Sequence, residues 1–173
     1  EAGSVSCPFS PTTSPTARSC TSSTLTVSDY DGLSEALALA CTGDVIELAA
    51  DITVTAQLVI SDVEDVVLRS SSSGVQRTLS GGGLCRVLFI SDATLSIEDL
   101  IITDGYVTSS NGAGLYITSG SRVNLTDSAI TNSNAYDSAN GGGIYVSSSY
   151  LSLVDTVASN NRGGSYGNGG AVY

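Results

Sequence analysis

The chain has 173 residues, a net charge of −11 and a pI near 4.1; it is 41% hydrophobic but only 13% charged. Its six basic residues are all arginine, scattered at 18, 69, 77, 86, 122 and 162, which argues against nucleic acid or an anionic membrane surface as a partner, since both need clustered basic residues. The length suits one domain burying roughly two-thirds of its unfolded surface, and no apolar run approaches the ~20 residues of a membrane span.

Residues 1–23 are rich in Ser, Thr and Pro, as in Ser10-Pro11-Thr12-Thr13-Ser14-Pro15-Thr16. Proline fixes φ and removes a donor, so this stretch reads as an extended arm rather than helix or central strand. Its composition also suits O-glycosylation. No charged-plus-apolar leader stands at Glu1, so any signal peptide is expected to have been removed. The four cysteines are Cys7, Cys20, Cys41 and Cys85. With no C-x2-C pair and no histidine they read as two disulfides rather than a metal site, which places the chain in an oxidising, extracytoplasmic compartment. Four cysteines allow three pairings; the one expected is Cys7 with Cys20 and Cys41 with Cys85, tying down the arm.

Thr24-Leu25-Thr26-Val27 alternates as a strand does. Ser28-Asp29-Tyr30-Asp31 supplies capping side chains. Leu33, Ala36, Leu37, Ala40 and Cys41 share one face at helical spacing, so an amphipathic helix is predicted over 32–40, ending near Gly43. Strand territory begins at Asp44-Val45-Ile46-Glu47-Leu48 and continues through 52–54 and 58–60.

From 93 to 160 the chain repeats. Segments 93–104, 121–132 and 149–160 align without a gap at a spacing of 28. Leu95, Val123 and Leu151 form one column, and Ile97, Leu125 and Leu153 another, with Ser96, Asn124 and Ser152 between them. That is strand alternation, apolar in and polar out. A second motif, Asn-Gly-x-Gly-aliphatic-Tyr, recurs at 111–116, 140–145 and, with Ala171 in place of the second Gly, at 168–173, with Phe89 in the same column. Periodicity of this size marks a solenoid. The Ser, Thr, Val and Gly content argues against a helical one. The predicted fold is therefore all-β, a parallel β-helix spanning 24–173 with about three strands per turn. Roughly five turns stacked ~4.8 Å apart would make a rod on the order of 25 Å long, its first edge protected by the helix.

With its Gly-Gly-x-Ile-Tyr repeats, its Leu-x-Leu segments and a Gly-Asp-Val-Ile-Glu-Leu opening behind an Ala/Leu-rich helix, the chain resembles right-handed parallel β-helix proteins. The nearest type is the polymorphic outer-membrane-protein repeat, within the pectin-lyase-like superfamily. The marks are Leu37–Leu48, Gly112–Ile117, Gly141–Val146 and Gly169–Tyr173. The resemblance implies a secreted or cell-surface protein with adhesive or structural roles, in a superfamily that also contains polysaccharide lyases and hydrolases.

The residues do not support the enzymatic branch. The Gly-His-Gly and Arg-x-Lys patterns of pectin-type hydrolases need residues this chain lacks, and no Ser/His/Asp set or phosphate loop is present. No catalytic, cofactor or metal site is assigned. Asp62, Glu64 and Asp65 are read as turn residues rather than a Ca2+ site. Asp99, Asp127 and Asp155 are read as turn residues bonding backbone amides. Asp104, Asn132 and Asn160 are read as a turn ladder in left-handed backbone, with side-chain amides bonding along the axis. Phe89, Tyr116, Tyr145 and Tyr173 are expected outside, as a stripe whose rings either stack to stabilise the parallel sheet or serve assembly or carbohydrate stacking, which the sequence does not separate. Tyr106, Tyr136 and Tyr166 recur separately in the loops. Asn124-Leu125-Thr126 is an N-glycosylation sequon facing solvent.

The repeat stops at Val172-Tyr173 without a capping element. It is expected either to belong to a longer solenoid or to dock on another copy, and a head-to-tail contact that does not close makes a filament. The function expected is a non-enzymatic extracellular structural or adhesive protein that self-associates. Polysaccharide binding or degradation is the alternative.

Overall fold

The computed structural model describes Cys7 and residues 20–173. Apart from Cys7 and residues 20–23, the arm expected over 1–23 lies outside the described residues. The chain opens with β1 (Thr24–Val27) and α1 (Tyr30–Ala38). Next come β2 (Val45–Leu48), β3 (Ile52–Thr53), β4 (Leu58–Ser70) and β5 (Arg77–Ser80). Then follow β6 (Leu88–Glu98), β7 (Leu100–Thr103), β8 (Tyr106–Val107) and β9 (Leu115–Thr118). The last six are β10 (Arg122–Thr126), β11 (Ala129–Thr131), β12 (Asn134–Ala135), β13 (Ile144–Val146), β14 (Tyr150–Val154) and β15 (Val157–Ser159).

Every strand pairing is parallel and joins one turn to the next. The fold is a parallel β-solenoid of about four turns with ~28-residue spacing. That is fewer than the five expected, because the last stretch contributes only the isolated bridges Asn134↔Arg162 and Ile144↔Val172 on two of its sides. Three faces carry all the strands except β8 and β12, which pair with each other in a two-stranded sheet of their own. One runs through the starts of β4 and β6 to β9 and β13. The second runs β1, β2, the ends of β4 and β6, β10 and β14. The third runs β3, β5, β7, β11 and β15.

The columns read from the sequence are neighbours in space. Leu95, Val123 and Leu151 pair in series, as do Ile97, Leu125 and Leu153. Leu95, Ile97, Val123 and Leu125 fill the bore together with Ile46, Leu68 and Ile130, each at most 1% exposed. Each such burial stabilises by about 1.5–3 kcal/mol.

The helix starts at Tyr30, two residues before the predicted start, and ends at Ala38. Asp29 is the N-cap, in extended backbone, its carboxylate accepting the Gly32 N–H at 2.8 Å. Leu33, Ala36 and Leu37 face the core and close the first turn. The Gly43-Asp44 opening has a structural cause. The buried Asp44 carboxylate accepts the Ser23 and Cys41 N–H groups, each at 2.8 Å, and so clips helix exit to strand entry.

The disulfides differ from expectation. Cys7 bonds Cys85, and Cys20 bonds Cys41. Axial position decides this rather than sequence proximity. Cys41 follows α1 on the first turn, beside the chain entering β1. Cys85 lies buried further along, near Thr55 and Gly81.

The corners explain the charge. Among the described residues twelve non-glycine residues have positive φ, and ten of them are Asp or Asn. Asp99, Asp127 and Asp155 (φ 52°, 48° and 46°) make the bend from the second face to the third. Asp104, Asn132 and Asn160 (52°, 52° and 54°) make the bend that leaves the third. Asp62, Asp65 and Asp92 bend β4 and β6 from the first face to the second. Left-handed backbone costs an L-residue ~1–2 kcal/mol, least for Asp and Asn. Much of the acidic excess is therefore backbone geometry. Replacing Asp127 tests this: Asp127→Gly is expected to leave the thermal midpoint unchanged or slightly raised, whereas Asp127→Val lowers stability by about 1–2 kcal/mol.

Glycine is required where turns approach most closely. A Cβ at Gly105 would lie 2.1 Å from the Ala113 carbonyl oxygen, and one at Gly142 would lie 2.2 Å from that of Arg162. No rotamer relieves a clash with backbone, so these positions set how tightly the turns nest.

Candidate functional site

The first face carries the aromatic column. Outward positions of successive strands place Phe89, Tyr116 and Tyr145 in register, and Tyr173 continues the stack. Ring centroids lie 5.2, 5.0 and 5.5 Å apart along it. The stripe is external, as expected, but its rings cover one another. Stacking of this kind contributes about 0.5–1.5 kcal/mol per pair. A sugar needs a free ring face, and inside this column only edges and hydroxyls are offered. Tyr106 and Tyr136 form a second, shorter stack at 5.2 Å. Tyr166, the third of that loop series, is 89% exposed and outside it.

Arg86 anchors the column and was not singled out from the sequence. Its guanidinium donates to Gly112 O at 2.9 Å, to Asn111 O at 2.8 Å, to Gln57 Oε1 and to Ser110 Oγ. It also lies over the rings of Tyr116 and Phe89, 5.0 and 5.9 Å from their centroids. Burial pulls its pKa down to about 10, with the Tyr116 hydroxyl acting the other way. It stays charged at neutral pH, tied by carbonyls and a ring quadrupole rather than by a carboxylate. The only trace in the sequence is a lone cation inside the apolar run Leu84–Ile90.

The Asp99, Asp127 and Asp155 column faces an open groove of about 560 Å³, shared with Ser73, Gly74 and Gln76. Gln76 Nε2 donates to the Asp127 carbonyl at 2.6 Å. Among the described residues the three carboxylates bond no backbone amide, contrary to expectation. The left-handed corner itself, not a side-chain bond, explains their type. Among the described residues no three His, Cys, Asp or Glu side chains converge as metal ligands.

The polar ladders also fall elsewhere than expected. At the Asp104, Asn132 and Asn160 corner the left-handed backbone is present, but no amide-to-amide bond joins the column. Asn132 Nδ2 donates to Thr103 Oγ1 at 3.5 Å, and Ser80 Oγ donates to Asp104 Oδ2 at 3.2 Å. The asparagine ladder is Asn111, Asn140 and Asn168. Each Oδ1 accepts the next turn's N–H, at 2.7 Å in both steps. Serines do the same inside: the hydroxyls of Ser121, Ser128 and Ser133 accept N–H groups 28 residues upstream, each at 3.2 Å. The repeated Asn-Gly motif was the available signal for the first of these ladders.

At the far end, β14 and β15 are edge strands. The core columns emerge there. Leu125 is fully buried, whereas Leu153 below it is 39% exposed. Ile144 is fully buried, whereas Val172 is again 39% exposed. Val154, Val157 and Tyr173 add exposed apolar surface around them. The opposite end is closed differently: α1 covers the bore, and β1 is the edge strand of the second face.

No family model, curated protein or solved structure matches the chain. The parallel solenoid is what the structure establishes, and the finer likeness to polymorphic outer-membrane-protein repeats rests on sequence motifs. Two disulfides are the chemistry of an oxidising compartment. Among the described residues no helix is long and apolar enough to cross a membrane.

Proposed function

We propose that this protein is a non-enzymatic, extracellular structural or adhesive solenoid that associates end to end through its last turn. The observation that carries this reading is the abrupt exposure of the core columns at Leu153 and Val172. A strand edge with apolar residues beside it is a template for another strand. The second face supports a second copy as the occupant. Its columns run unbroken from β1 to β14, so Leu25 stands in the same column as Ile97, Leu125 and Leu153. A second copy's β1 laid parallel on β14 would seat Leu25 on Leu153 and Thr24 on Ser152, repeating the internal pattern. Such a heterologous contact does not close on itself and extends into a filament.

The motif resemblance and the two disulfides support a secreted or cell-surface location. The alternative, a polysaccharide-binding or polysaccharide-degrading protein, is less favoured because the rings of the aromatic column stack on one another.

Sedimentation and negative-stain electron microscopy test the proposal. The expected result is concentration-dependent oligomers or fibres, abolished by Leu153→Asp together with Val172→Asp while the circular dichroism spectrum is retained. A monodisperse monomer at high concentration would overturn it.

A further inference from the structure

We infer that Asn124 is an attachment site for an N-linked glycan. Asn124-Leu125-Thr126 is the sole Asn-x-Ser/Thr triplet in the chain. It sits in the middle of β10, where Val123 and Leu125 point into the bore, 1% and 0% exposed, and Asn124 points out. Its register neighbours on the adjoining strands are Ser96 and Ser152, both small. Arg122, two residues earlier on the same side of the strand, has its guanidinium over the Tyr150 ring at 4.7 Å. The positions directly beside Asn124 are therefore small and polar, and the nearest bulky outward side chain on an adjoining strand, Tyr150, lies one outward position away and is engaged by Arg122.

The second observation is how the other asparagines are used. Of the seven others, Asn111, Asn132, Asn134, Asn140 and Asn161 bond through their side-chain amides to backbone or to another side chain, Asn160 makes a left-handed corner, and Asn168 is the last rung of the Asn111 ladder through its backbone N–H. Among the described residues the Asn124 side chain bonds no partner, so converting its amide nitrogen removes no contact there. An asparagine mid-strand that neither turns the chain nor bonds a neighbour has no packing role. The disulfides place the chain in the compartment type where such transfer takes place.

The chemistry balances with a lipid-linked oligosaccharide pyrophosphate as donor. The Asn124 amide nitrogen forms a bond to C1 of the first sugar. The C1–O bond to the pyrophosphate breaks, the lipid pyrophosphate leaves, and the amide gives up one proton. No oxidation state changes.

The test is to secrete the full chain from a eukaryotic host and compare intact mass before and after peptide-N-glycosidase. The expected result is a mass loss on digestion, with residue 124 then read as aspartate in the peptide map. Asn124→Gln and Thr126→Val should each remove the shift, and Thr126→Ser should retain it. Asn124→Gln should also unfold at the same temperature as the enzymatically deglycosylated wild type, which separates loss of the site from loss of the fold. A secreted chain carrying both disulfides with Asn124 unmodified would overturn the assignment. So would a shift that survives Asn124→Gln. Neither outcome depends on whether the chain assembles end to end.

Discussion

Leu125→Ala is expected to lower the unfolding free energy by about 2–5 kcal/mol, while Leu153→Ala, one turn further along the same column, costs about 1 kcal/mol or less. The two residues are chemically identical and pair directly. Leu125 has a neighbour on each side, Ile97 before it and Leu153 after it, and is fully buried. Truncating it loses transfer free energy and also leaves a cavity that two fixed turns do not collapse to fill. Leu153 has a partner on one side only and is 39% exposed. Less surface returns to water there, and no closed void forms. Chemical denaturation of the two variants measures the difference directly. Equal losses would mean that the last turn is covered under the assay conditions. Association through that end would produce this, so the comparison should be repeated at low protein concentration. Equal losses there would mean that the columns do not end where the structure places them.

Replacing Cys7 and Cys85 together by serine is expected to cost about 2–5 kcal/mol, more than replacing Cys20 and Cys41. The first bond spans 78 residues and the second 21. A longer closed loop removes more entropy from the unfolded chain, though only logarithmically, so the difference between the two is on the order of 1 kcal/mol. Cys85 is also buried, 2% exposed, with its sulfur beside the Thr55 carbonyl. A serine hydroxyl there is desolvated, which adds to the loss. Denaturant unfolding of the two double variants gives the ranking. Non-reducing peptide mapping of the wild type gives the connectivity, and a Cys7–Cys20 peptide would contradict the structure outright.

The repeats were legible because a solenoid converts sequence period into spatial adjacency. Leu95, Val123 and Leu151 share one environment, so selection for packing leaves the same residue class at the same interval. The Asp99, Asp127 and Asp155 column was visible for the same reason. Its cause was less so, because an aspartate bonding an amide and an aspartate tolerating left-handed backbone look alike in sequence. Arg86 was not legible. It occurs once, and its partners Gln57, Ser110, Asn111 and Gly112 come from different turns. Cys7 and Cys85 were visible as cysteines but not as partners, since their bond joins positions 78 residues apart.

The sequence by itself determined the period, the in–out alternation, the capping helix and the parallel stacking, because each is a local preference repeated at a fixed interval. Tertiary structure alone decided which cysteines meet, how a lone arginine's donors are satisfied without a carboxylate, and where the core columns surface. Those outcomes depend on distances along the solenoid axis, which accumulate turn by turn and are written in no single repeat.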